Sequence, residues 1–205
     1  MKSTNGGSMS ELHIACERGD SKQITFLLSS ENINSQNRDG ETPLHIASKY
    51  DRLNAVKVLT SRKECNFNIT NGQGYTPLHT ACKQGHLSIV QFLVADQRCQ
   101  LNTKNSEMNT LLHIACHTKA LRIIGLLLKT KCSTNIPNKK GETAEEIPLN
   151  EDGDCLLHIA CQWGDAAIVR YFITHQRCNQ NIMNHSRSIP LHTVSKLGHL
   201  DTVWR

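Results

Sequence analysis

The sequence predicts an all-α solenoid of short helix–turn–helix units stacked one on the next. Three observations predict it. Histidines preceded by leucine stand at 13, 45, 79, 113, 158 and 192, in steps of 32, 34, 34, 45 and 34. A recurring period near 34 marks a repeat architecture. Within each period two short runs carry apolar residues at i, i+3 and i+4, the helical pattern. Such short helices are unstable alone in water and must stack on a neighbour.

The elements follow in order. The second copy reads Asp39-Gly-Glu-Thr-Pro-Leu-His-Ile-Ala-Ser48, the third Gln73-Gly-Tyr-Thr-Pro-Leu-His-Thr-Ala-Cys82. The fourth, Glu107 to Cys116, and the fifth, Asp152 to Cys161, keep Leu-Leu-His-Ile-Ala-Cys. Thr before Pro starts a helix, because the hydroxyl caps it and Pro suits the first helical position. Small Ala47, Ala81, Ala115 and Ala160 allow close packing, and Gly19, Gly85, Gly164 and Gly198 end this first helix. The second helices carry Ile24, Phe26, Leu27 and Leu28, then Leu87 to Leu93, Leu121 to Leu128 and Ile168 to Ile173. Between units lie the Asn pairs 34/37, 68/71, 102/105, 135/138 and 181/184. Asn bonds its own backbone and accepts left-handed conformations, so these stretches read as projecting turns.

The chain has 205 residues, a formal charge of +5, nine Cys and eleven His. No run of about 18 apolar residues exists, so no membrane insertion of this segment is expected. Met1 to Ser10 lacks the apolar core of a secretory signal. The thiols share the period of the histidines: Cys16, Cys82, Cys116 and Cys161 follow the histidine by three residues, and Cys65, Cys99, Cys132 and Cys178 form a second series. A zinc site needs four convergent ligands. Each unit offers at most one His/Cys pair, and adjacent pairs lie about 10 Å apart, the spacing of packed helices. The reading is therefore no metal, no cofactor, and Cys as a small apolar filler. Nine thiols make no complete disulfide framework, which places the chain in a reducing compartment, cytoplasm or nucleus. No phosphate-binding loop or nucleophile elbow is present, so no enzyme is expected. Dispersed excess cations are not a nucleic-acid footprint.

Gly-x-Thr-Pro-Leu-His-x-Ala, then Gly-His-Leu-x-Ile-Val, then Asn, resembles the ankyrin repeat; Gly74 to Val94 carry the pattern almost throughout. The resemblance covers residues 8–205. It implies helix–turn–helix units with hairpin-like loops projecting at right angles, and a structural role for the repeated His, bonding backbone and Thr groups of the loops. After a disordered tail at 1–7, the units fall at about 8–38, 39–72, 73–106 and 107–139. A truncated insert at 140–150 follows, then 151–185 and a partial unit at 186–205. The insert begins like a repeat and is stopped by Pro148. It reads either as a bulge on the loop edge or as a partner-specific element. Met108 stands at a loop Gly position, Asp51 and Lys119 at the inter-helix Gly, and local distortion is expected at each. The last second helix, Leu200 to Trp204, is cut short, as in a piece of a longer protein.

The resemblance also implies a function: binding another protein through loop tips and the concave face of the first helices. Carried over unit by unit, the loop positions are Arg38, Asp39 and Glu41, then Gln73 and Tyr75, then Glu107, then Asp152 and Asp154, then Arg187. The helix positions are Lys49 and Tyr50, Lys83 and Gln84, His117, and Gln162 and Trp163. Aromatics concentrate at interface hot spots, which singles out Tyr50, Tyr75 and Trp163. The alternative is that these rings pack along a neighbouring unit's first helix. A second reading is the recognition arm of a larger enzyme, channel or signalling receptor.

Overall fold

The computed structural model describes residues 8–130, 132–174 and 179–199. Expectations for the tail at 1–7, for Cys178 and for 200–205 lie outside them.

Helices alternate in two layers. The first helices are α1 (Glu11–Arg18), α3 (Pro43–Lys49), α5 (Pro77–Gln84), α7 (Leu111–His117), α9 (Leu156–Trp163) and α11 (Pro190–Leu197). The second helices are α2 (Ser21–Leu27), α4 (Leu53–Thr60), α6 (Leu87–Val94), α8 (Leu121–Leu128) and α10 (Ala166–Thr174). The first helices pack in series from α1 to α7 and again from α9 to α11, and α2, α4, α6 and α8 form the second row. One continuous core runs between the rows. Each of the first five first helices buries a Leu at its start, Leu12, Leu44, Leu78, Leu112 or Leu157, and an Ala at its centre. All eight described cysteines are buried and unpaired.

Two backbone positions per unit are left-handed. Between the helices these are Gly19, Asp51, Gly85, Lys119, Gly164 and Gly198. In the loops they are Gly40, Gly74, Met108, Gly141, Gly153 and Arg187. The distortion expected at Met108, Asp51 and Lys119 is absent: with φ of 59°, 56° and 54° they keep the glycine conformation. Such a residue stores strain of about 1–2 kcal/mol, which the packed units on either side sustain.

The insert is a unit reduced to its loop and one turn. Asn138 to Glu142 close a normal loop, with Asn138 N–H donating to the Glu142 carbonyl (2.9 Å). A single 3-10 turn, Ala144–Glu146, replaces the first helix and lies between α7 and α9. The chain is then extended at Ile147, and Leu149 N–H donates to the Asp154 carbonyl (2.7 Å) to start the next loop. No second helix follows, and α8 and α10 make fewer close contacts than the other neighbouring second helices.

Candidate binding surface

The histidine geometry defines what each unit uses internally. In the second unit Thr42 N–H and Oγ1–H both donate to His45 Nδ1 (3.1 and 2.8 Å), and His45 Nε2–H donates to the Tyr75 carbonyl in the next loop (2.8 Å). The same Nε2 bond joins His13 to Glu41, His113 to Glu142 and His158 to Ser188. Two donors at Nδ1 fix the neutral tautomer. Burial agrees, lowering His45 and His79 to about 4. Protonating Nδ1 would place a hydrogen against two donors, so these imidazoles are mortar, not acid–base groups. In the fifth unit Cys155 Sγ takes the place of the Thr hydroxyl, 3.2 Å from His158 Nδ1.

The Asn pairs divide the labour. The second Asn shapes its loop: Asn37 Oδ1 accepts the N–H groups of Asp39 and Glu41 (3.0 and 2.9 Å), and Asn71 and Asn105 repeat this. The first Asn grips the next unit. Asn34 donates Nδ2–H to the Glu64 carbonyl and accepts Asn66 N–H (2.7 and 2.9 Å), and Asn68 does the same with Arg98 and Gln100. Loop tips are also tied in series, Gly72 N–H to the Asp39 carbonyl and Ser106 N–H to the Gln73 carbonyl (2.8 and 3.1 Å). The ties continue from Lys139 to Glu107 and from His185 to Asp152; among the described residues none joins Glu151 N–H to the Lys140 carbonyl. The projecting-turn reading of the pairs thus holds for the second Asn alone. The role of the first was missed, although its even spacing was visible.

Family models of ankyrin repeats match residues 12–105 in three copies, and 107–139 and 152–185 as single repeats. The chain belongs to the ankyrin repeat family. Residues 140–151, the reduced unit, fall between the matched ankyrin repeats. The chain is 42% identical over 55 residues to the nuclear factor NF-kappa-B p110 subunit of Drosophila melanogaster, 27% of this chain and 6% of that protein. It is 47% identical over 47 residues to the transient receptor potential cation channel subfamily A member 1 homolog of Caenorhabditis elegans, 22% of this chain and 4% of that one. The chain thus matches only a small part of each relative. Ankyrin repeats are protein-interaction modules, and no described helix is long and apolar enough to cross a membrane.

With the ankyrin register fixed, the predicted contact residues can be placed. Arg38, Asp39, Gln73, Glu107, Asp152 and Arg187 are exposed on successive loop tips, as are Lys83, Gln84, His117 and Gln162 at the ends of the first helices. Glu107 is paired with Lys139 at 3.6 Å. Two loop positions are buried. Glu41 is buried, its carboxylate accepting from Asn37 Nδ2 and Lys49 Nζ (3.3 and 3.2 Å). Asp154 is buried and accepts amide hydrogens from Asn150, Gln162 and Asn184 (3.0, 2.7 and 2.8 Å). Burial pushes the Asp154 pKa up, but the amide donors outweigh it and hold the group below the usual carboxylate value. Both acids are therefore loop-closing groups: their side chains point back at the loop Asn, not to solvent.

The three aromatics separate. Tyr50 is 39% exposed, with the Lys49 ammonium 5.9 Å from its ring centre. Tyr75 is half-buried, edge-on to His79 at 6.0 Å, with Lys83 Nζ 5.0 Å over its face. Trp163 is 41% exposed but lies on the second-helix side, where a Cβ on Gly125 of α8 would stand 3.4 Å from its ring. Tyr75 thus packs within its own unit, and Trp163 packs on the second helix α8 and not on a neighbouring first helix.

Proposed function

We propose that this array binds another protein through its loop tips and the exposed ends of its first helices. The observation that carries the reading is how few of these groups the scaffold uses. Thr, His and Asn at fixed positions make the bonds between units, while Arg38, Gln73, Lys83, Gln84 and His117 differ from unit to unit and stand in solvent. Tyr50 beside Lys49 supplies an aromatic anchor on the same face. The eight described thiols, buried and unpaired, fit a protein of a reducing compartment such as the cytoplasm.

The test is a triple variant, Tyr50→Ala, Lys83→Ala and His117→Ala, compared with the parent chain by affinity capture at equal loading. Loss of specific partners with an unchanged far-UV spectrum supports the reading. Retention of every partner refutes it. A second reading, the recognition arm of a larger protein, is favoured by the small share of each relative that the chain matches. The coding sequence past Arg205 separates the two: a stop codon favours an adaptor, a membrane or catalytic segment the arm.

A further inference from the structure

The loop asparagines share one backbone role but differ in what their amide nitrogen does. Asn37, Asn71, Asn105, Asn138 and Asn184 each accept two N–H groups of their own loop through Oδ1, and Asn150 accepts one. Where the fourth residue on is an acid within the same loop, Nδ2 is used as well. Asn37, Asn138 and Asn150 donate it to Glu41, Glu142 and Asp154 (3.3, 3.1 and 3.0 Å). In the third unit that residue is Tyr75, and Asn71 Nδ2 makes no bond among the described residues. Asn71 is also the one of these asparagines that precedes a glycine; the others precede Arg38, Ser106, Lys139, Glu151 and His185. The chain's other Asn–Gly pair, Asn5–Gly6, lies outside the described residues.

An Asn–Gly pair carries a chemistry of its own, because glycine has no Cβ to shield its amide nitrogen. The Gly72 nitrogen, on losing its proton, attacks Asn71 Cγ. The Cγ–Nδ2 bond breaks, ammonia leaves, and a five-membered imide forms. Water then opens one of the two imide carbonyls, giving aspartate or isoaspartate. One water enters and one ammonia departs, with no oxidant or reductant. The fold controls both reacting groups. Gly72 N–H donates to the Asp39 carbonyl of the preceding loop (2.8 Å), and Asn71 Oδ1 is held by the N–H groups of Gln73 and Tyr75 (both 3.0 Å). The nitrogen is released for attack only while the tie between the loops is open.

We propose that Asn71 is a site of spontaneous deamidation, gated by the tie between the second and third loops, and that its loop holds the aspartate product. An aspartate there accepts the same two N–H groups, more strongly as an anion, and faces no carboxylate. At Asn37, Asn138 or Asn150 the same change sets two carboxylates against each other. The product places a new negative charge on a loop tip, and the inference does not rest on the binding reading above.

The test is peptide mapping by mass spectrometry of the full chain held at neutral pH, folded and in urea. Asn71 is expected to convert first among the described loop asparagines, about ten- to a hundredfold more slowly in the folded chain than in urea. Gly40→Ala places a Cβ 2.9 Å from Gly72 N and forces the tie open. It is expected to speed conversion about tenfold with far-UV CD unchanged. Gly141→Ala, equally left-handed but with nothing within 4 Å of its Cβ, is expected to leave the rate as it is. Should Gly40→Ala lose its helical spectrum, the parent in urea below its unfolding transition takes its place. Hydrogen exchange at the Gly72 amide and conversion at Asn71 are then expected to rise together. In thermal melts Asn71→Asp is expected to match the parent and Asn37→Asp to melt lower. The proposal is overturned if Asn71 converts no faster than Asn37 in the folded chain, or if conversion does not follow the opening of the tie. It is also overturned if Asn71→Asp melts as low as Asn37→Asp, since the loop then does not hold the product.

Discussion

Replacing Gly74 and Gly141 by Ala separates backbone strain from the tie between loops. The two glycines hold the same loop position with φ of +76° and +81°. A left-handed Ala costs about 1–2 kcal/mol, and a stiffer unfolded chain returns roughly 0.4–1. At Gly141 a Cβ meets nothing within 4 Å, so the net loss is expected to be about 0.5–1 kcal/mol. At Gly74 the Cβ would stand 2.6 Å from Ser106 N and 3.0 Å from Asn105 Cα. That atom belongs to the backbone of the next loop and cannot swing aside. The loops must part, and the bond from Ser106 N–H to the Gln73 carbonyl, worth about 1 kcal/mol, is lost with the packing around it. Gly74→Ala is therefore expected to cost about 2–4 kcal/mol. Urea unfolding followed by far-UV CD measures both variants, and hydrogen exchange at the Ser106 amide reports the bond directly. Equal destabilisation of the two variants, with Ser106 protection unchanged, would refute the reasoning.

Lys119→Gly and Met108→Gly are each expected to stabilise by about 0.5–1 kcal/mol, since left-handed strain is relieved at some cost in unfolded-chain entropy; thermal melts should rise by a few degrees. Stability is expected to fall as pH drops from 6.5 toward 4. Burial lowers His45 and His79 to about 4, so between these values the unfolded chain binds protons that the native chain refuses. Above pH 6.5 both states hold neutral imidazole and this contribution is constant, so urea midpoints flat from pH 7 to 4 would contradict it. Burial pushes the Cys16, Cys65 and Cys99 thiols up to about 12, so in a Cys178→Ser background a thiol reagent is expected to stay silent until denaturant is added. Fast labelling of the native chain would show that these units open readily.

The repeat, its helices and the role of histidine were legible because each rests on one residue type at a fixed spacing. The binding surface was legible only in part. Glu41 and Asp154 occupy loop positions where exposure is the rule, but their carboxylates fold back onto Asn37 and Asn150, and nothing in a linear pattern gives a side chain's direction. Left-handed Met108, Asp51 and Lys119 kept their geometry because the turn is set by packing on both sides, which local propensity does not contain. The irregular step of 45 revealed an insert. That it supplies a loop and a single turn, and leaves Trp163 to lean on Gly125, depends on what the neighbouring units do in space.

The interrupted ties around the reduced unit also bear on how the array responds to load. Elsewhere, consecutive units are joined along three lines: loop tip to loop tip, Asn to connector, and second helix to second helix. At the reduced unit the loop tie to the following unit and the Asn-to-connector bond are absent among the described residues and α8 and α10 make few close contacts, while the continuous core still passes through Ala144, Ile147 and Leu149. In a linear chain of coupled units, the weakest interface governs where cooperativity ends. Tension along the axis is therefore expected to extend the array first at this junction, before any helix gives way.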